Sequence, residues 1–128
     1  MDKIKYIILT LSLVLGFYSG SVFSADALNH DEAVKLLEGN TAEGENTKWD
    51  RKMIWYFQKG GVLRKQKPSG KRGSANWHID KKGQLCYQDK HMGEEVCEPV
   101  VPREDGGYDT MDGRWRIDKV LPGNAHSL

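Results

Sequence analysis

The chain has 128 residues, is 38% hydrophobic and 29% charged, and carries a formal net charge of +1. That length holds one domain and excludes a Rossmann enzyme or a TIM barrel on size alone. No strong internal period is visible, which argues against a repeat array.

The hydrophobic residues are unevenly spread: 14 of them fall in the first 24 positions, leaving the rest of the chain about a third hydrophobic. Residues 1–24 read as a secretory signal peptide. Lys3 and Lys5 form a basic start, an apolar run follows to Tyr18, and small residues come next. Cleavage after Ser24 or after Ala27 places Val22 or Ala25 at the −3 position. The alternative is an uncleaved anchor, because Tyr6 to Phe23 is 18 uncharged residues, just enough to span a bilayer. Residues 25–128 are then a single small β-rich domain, periplasmic or secreted, with no stable membrane span after cleavage.

One short helix is predicted. Asn29 is placed to cap it, Glu32 stands three residues on as the return partner of a capping box, and Gly39 marks the stop. Ala33, Val34, Leu36 and Leu37 form its apolar stripe. Two turns cannot stand alone, so the stripe must dock on a sheet.

The remainder reads as strands. Trp49, Met53, Trp55 and Phe57 share one parity, interrupted by Arg51. Lys59-Gly60-Gly61 turns into a polar strand, Val62 to Lys67, followed by a loop from Lys67 to Gly73. Ala75, Trp77 and Ile79 alternate with polar residues, and Lys82-Gly83 turns into Gln84 to Asp89. Glu94 to Val100 returns, with Pro99 and Pro102 ending it. Asp112-Gly113 is a two-residue hairpin signal.

Cys86 and Cys97 are the two cysteines of the chain. In an oxidising compartment such a pair forms one disulfide, worth about 2.5–3 kcal/mol for a loop this short. If Cys86 faces Cys97 across a hairpin, Tyr87 meets Val96 and the loop falls at Lys90 to Gly93. The predicted fold is therefore mainly β: an antiparallel meander or small β-barrel of six to seven strands with one short N-terminal helix.

Charge is sorted into blocks. Asp26 to Thr47 carries a net −5, Lys48 to Lys82 a net +9 and Glu94 to Asp112 a net −6. Such blocks either compensate one another in the fold or present a basic patch to an outside anion.

Several short motifs recur in a familiar order: Gly39-Asn40-Thr41, Trp55-Tyr56-Phe57, Gly73 with Trp77, Gly83-Gln84-Leu85-Cys86, Cys97, and Pro122-Gly123-Asn124. This set resembles a family of small exported proteobacterial proteins of unknown function. The resemblance implies an exported β-rich protein in which Gly39, Asn40, Thr41, Gly73, Gly83, Gly123 and Asn124 are structural, and it implies no activity. Two features depart from it: the turn Lys59-Gly60-Gly61 where the family carries Asp-Gly, and the basic stretch Arg64 to Arg72.

No catalytic residues are assigned. Ser69, Ser74 and His78 lack a nucleophile-elbow context, and bridged cysteines cannot act as nucleophiles. Asp105, Asp109 and Asp112 sit in a Gly-rich stretch where solvated acids are ordinary. No metal or other cofactor is expected: His91 and Met92, with or without the cysteines or Met111, do not complete a ligand set. The binding candidates are Arg64, Lys65, Lys67, Lys71 and Arg72, which bracket Pro68-Ser69-Gly70, together with exposed members of Trp55, Tyr56, Trp77 and Tyr87. Such a face suits an anionic envelope polymer or an acidic protein; lysines on an exposed edge also block aggregation. Nucleic acid is a poor partner for an exported chain. The preferred expectation is a non-enzymatic binding module. A small-ligand carrier with a barrel cavity and an inhibitor of an envelope hydrolase are the alternatives.

Overall fold

The structure, a computed structural model, describes residues 26–91, 93–110 and 114–128. The signal segment, Met92, Met111 and the Asp112-Gly113 turn lie outside the described residues. Helix α1 (His30–Leu37) is followed by nine strands: β1 (Thr41–Asn46), β2 (Arg51–Gln58), β3 (Val62–Gln66), β4 (Arg72–Ile79), β5 (Leu85–Gln88), β6 (Val96–Glu98), β7 (Val100–Pro102), β8 (Tyr108–Thr110) and β9 (Trp115–Leu121).

All pairings are antiparallel, in the order β6-β5-β4-β3-β2-β1-β9-β8-β7. The two outermost strands, β6 and β7, are separated in sequence by Pro99 alone. Their proximity in the chain brings the sheet's two edges together, and the meander is a nearly closed barrel. The seam is tied from outside: the Leu28 amide donates to the Val100 carbonyl at 2.8 Å. That lead-in segment lies over Gly83, which has φ +89 and where a Cβ would overlap Leu28 and Asn29.

The sheet has nine strands, not six to seven. β1 was not expected, because Thr-Ala-Glu-Gly-Glu-Asn shows no apolar alternation. It is nevertheless central, paired on both sides by β2 and β9. Its buried positions are small because large rings from its neighbours fill the interior; a Cβ on Gly44 would overlap the Arg116 backbone at the β1–β9 bulge. Pro99 ends β6 as expected, but the strand resumes at once as β7, of which Pro102 is the last residue. The 67–73 loop is shorter than expected, since β4 already begins at Arg72, while Lys67 falls past the end of β3.

The helix forms as its ends dictate. Asn29 Oδ1 accepts from the Glu32 amide at 2.9 Å, and Glu32 Oε1 accepts from the Asn29 amide at 3.0 Å, completing the capping box. Ala33 and Leu37 are buried, while Val34 and Leu36 are half-buried. Past the helix, the Gly39 amide donates to the Phe57 carbonyl at 2.7 Å. Asn40 Nδ2 donates to the Leu36 carbonyl, and its Oδ1 accepts from the Gly123 amide. Thr41, fully buried, donates to the Gly123 carbonyl at 2.7 Å and accepts from the Ala125 amide. The Gly-Asn-Thr and Pro-Gly-Asn motifs thus lock the helix end, β1 and the C-terminal tail together.

The core is aromatic. Trp55 and Trp115 stack at 4.5 Å between centroids, Tyr87 leans on Trp115 at 4.7 Å, and Phe57 meets Trp77 edge-on at 5.2 Å. Trp77 Nε1 donates to the Gln58 carbonyl, so its burial leaves no orphan donor. The disulfide joins Cys86 to Cys97, directly opposite in register, with Tyr87 opposite Val96.

Candidate functional site

The up-and-down strand order sends alternate connections to opposite ends of the barrel. At one end lie the β2–β3, β4–β5 and β7–β8 turns with α1, whose Leu37 enters the core. At the other end lie the β1–β2, β3–β4 and β5–β6 hairpins and the β8–β9 connection. Among the described residues no helix covers that second end. Instead it opens into a cavity of about 560 Å³ lined by residues from every one of these connections.

Register decides which side chains face it. Residues directly opposed on an antiparallel pair share a face. Trp55 opposes Lys65, Tyr56 opposes Arg64 and Phe57 opposes Leu63. Lys65 therefore shares the inward face of Trp55, whereas Arg64 shares the outer face of Tyr56. The basic stretch consequently splits. Lys65 and Lys67 line the mouth. Arg64 is exposed on the wall and donates to Gln58 Oε1 at 3.1 Å. Lys71 and Arg72 sit exposed at the β3–β4 hairpin, where Arg72 reaches the Ser127 carbonyl at 3.5 Å. Strand alternation sends the members of this stretch to both faces.

The aromatic candidates are sorted by the same register. Trp55, Trp77 and Tyr87 are 1%, 6% and 6% exposed and form the core and the floor of the mouth. Tyr56 is half-buried on the outer face. Trp49, expected to share the buried parity of Trp55, lies in the β1–β2 turn ahead of β2 and is 63% exposed. Among the described residues it is the large apolar side chain left in solvent. Lys48 holds its ammonium 5.4 Å from the centre of the Trp49 ring.

The mouth is strongly cationic. Among the described residues that line it, Lys48, Arg51, Lys65, Lys67 and Arg114 stand with His91 against the carboxylate of Asp89. Asp89 bonds Lys65 at 3.2 Å. Burial pushes its carboxyl up, but the His91 amide and Lys65 outweigh this and hold it below the usual carboxylate range. At the floor, Arg114 donates to the Tyr87 hydroxyl at 3.2 Å, with the buried Glu98 carboxylate 4.0 Å away. Burial raises the Tyr87 phenol above its ordinary value, against the opposing pull of Arg114. Of the eleven basic residues between Lys48 and Lys82, Lys65 is the one that forms a salt bridge among the described residues. Basic side chains therefore outnumber acidic ones among the described residues of the mouth.

The other candidates have structural surroundings. Arg103 gathers Asp105, Asp109 and Asp118 at 3.1, 2.8 and 3.2 Å, tying the β7–β8 turn to β9. Desolvation opposes the charge on Arg103, and the three carboxylates override it, so its pKa is raised. His78 is exposed and pairs with Glu95 at 3.0 Å. Ser69 lies in the β3–β4 turn, and Ser74 is exposed on β4. Gly73 stands opposite Lys65, leaving room for that long side chain. Sequence reading missed Lys48, Trp49 and Arg51 as site residues. The signal that could have found them is the cluster Lys48-Trp49-Asp50-Arg51-Lys52, an aromatic ringed by cations, which apolar parity had absorbed into a strand.

No helix among the described residues is long and apolar enough to cross a membrane. Comparison with protein-family models, with curated proteins and with solved structures returns no match.

Proposed function

We propose that the protein is a non-enzymatic binding module of the cell envelope that takes an anionic component or partner at the open mouth of its barrel. One observation carries this reading: among the described residues, five cations drawn from neighbouring connections line one cavity of about 560 Å³ together with one carboxylate, Asp89. Keeping like charges together costs stability; Lys65 pairs with Asp89 and Arg114 with Tyr87 and Glu98, and Lys48, Arg51 and Lys67 add three further cations to the same space. The interior supports a mouth site over deep carriage. Trp55, Phe57, Leu63, Leu85 and Ile117 are almost wholly buried and pack as one cluster. The disulfide and the basic, apolar leader support residence in the periplasm or outside the cell.

The test is binding of inorganic polyphosphate, followed against ionic strength. The triple variant Lys48→Glu, Arg51→Glu, Lys67→Glu is compared with Lys59→Glu, Lys81→Glu, Lys82→Glu, which makes the same charge change away from the mouth. Loss of salt-sensitive binding in the first triple, and its retention in the second, is the expected outcome. Equal loss in both would reduce the effect to net charge and remove the mouth site.

A further inference from the structure

The mouth is not evenly charged around its rim. The β1–β2 turn brings Lys48, Arg51 and Lys52 against Asp50, and the β3–β4 hairpin adds Lys67, Lys71 and Arg72. The β5–β6 hairpin, by contrast, carries Glu94 and Glu95 and pairs Glu95 with His78. The two basic hairpins are neighbours: Ile54 opposes Gln66, so Lys52 and Met53 run beside Lys67 and Pro68. Trp49 stands at the tip of the first, 63% exposed, with Lys48 beside its ring. The opposite end of the barrel is mixed in charge: Asp31, Glu32 and Glu38 lie on and beside α1 with Lys35, and the β2–β3 and β4–β5 turns add Lys59, Lys81 and Lys82.

From this arrangement we infer that the paired β1–β2 and β3–β4 hairpins dock the protein on an anionic phospholipid surface, with Trp49 as the interfacial anchor. The inference rests on the mouth being an anion site and names its partner. A tryptophan prefers the headgroup level of a bilayer, where its ring is partly desolvated and its N–H still finds partners. Surrounding lysines and arginines reach lipid phosphates from the same plane. A soluble anion accounts for the cations but gives no role to a large exposed ring at their centre; a lipid interface uses both. Docking is peripheral and needs no spanning segment. Trp49 and the two basic hairpins lie together at one end of the barrel, which directs the helix-capped end to solvent.

The experiment is flotation with vesicles of phosphatidylcholine alone and with phosphatidylglycerol added, at low and at physiological salt. An attached segment 1–24 would itself partition into bilayers, so the readouts are differences between wild type and variants. Capture is expected to rise with phosphatidylglycerol and to fall with salt. Arg51→Glu and Lys71→Glu are each expected to weaken it at least about fivefold, the equivalent of one lost cation at the surface. Trp49→Ala weakens capture and Trp49→Phe restores most of it. Brominated lipids quench wild-type fluorescence but not that of Trp49→Phe, because Trp55, Trp77 and Trp115 are 1%, 6% and 4% exposed. Capture that is indifferent to Trp49→Ala, or wild-type fluorescence that brominated lipid leaves unquenched, overturns the bilayer assignment. If vesicles fail while polyphosphate still binds the mouth triple-dependently, the mouth site stands and its partner is an acidic polymer or protein. If both fail, both readings fall.

Discussion

The two ends of this barrel solve the same problem differently. Both expose the inside of a curved sheet that must be kept from water. At one end α1 lies across the opening, inserts Leu37, and is held by its capping box and by the Asn40 and Thr41 links to the tail. At the other, stacked Trp55 and Trp115 seal the core from below and cations line the space above them. The first end is organised for stability. The second keeps a row of like charges that stability alone does not favour. Residues whose removal unfolds the protein are therefore separable from residues whose removal abolishes binding.

The sharpest way to break that division is at the aromatic floor, which belongs to both. Trp115→Ala removes the ring that Trp55 and Tyr87 pack against, and a loss of about 3–5 kcal/mol is expected in urea unfolding. The disulfide comes next. Cys86→Ser with Cys97→Ser frees a loop of sequence separation 11 and lowers stability by about 3 kcal/mol, measured against the oxidised wild type. At the closed end, Asn29→Ala removes half of the capping box and costs about 1 kcal/mol, with polyphosphate binding unchanged. The mouth triple variant should do the opposite, changing stability by no more than about 0.5 kcal/mol per site while removing binding.

The smallest effect is titration. Glu43 is held below the usual carboxylate range by its hydrogen bond with His126 and by Lys119, against burial. Asp89 is held low by the His91 amide and Lys65 despite burial. A carboxyl depressed in the folded state adds stability that is complete above its unfolded value and is lost as pH falls through the folded value. Wild type should therefore lose stability between neutral pH and about pH 3, and the double variant Glu43→Gln, Asp89→Asn should lose less, as read from urea midpoints at both pH values. Asp89→Asn alone should also tighten polyphosphate binding, because it removes a carboxylate that lines the mouth.

Much of this was written locally. The alternation of Trp55 and Phe57 and of Ala75 and Trp77 with the residues between them follows from the two-residue repeat of a strand. The same repeat placed Cys97 opposite Cys86 and Tyr87 opposite Val96. The helix and its cap were legible because a capping box is a contact between near neighbours. β1 was not, because its small and charged residues make sense only between β2 and β9, against rings supplied from elsewhere. Trp49 was misread because hydrophobicity alone does not tell a strand residue from the turn before it.

The amino-acid order by itself determined a β-rich chain with a capped helix, a cross-strand disulfide and a basic middle, since each depends on neighbours or on a simple period. Tertiary structure alone decided that Lys65 and Lys67 turn inward while Arg64 turns outward, that Trp49 is exposed while Trp55 is buried, and that the Gly-Asn-Thr and Pro-Gly-Asn motifs meet. These are outcomes of register and closure, set by which strands become neighbours around the barrel, and no local stretch of sequence contains that information.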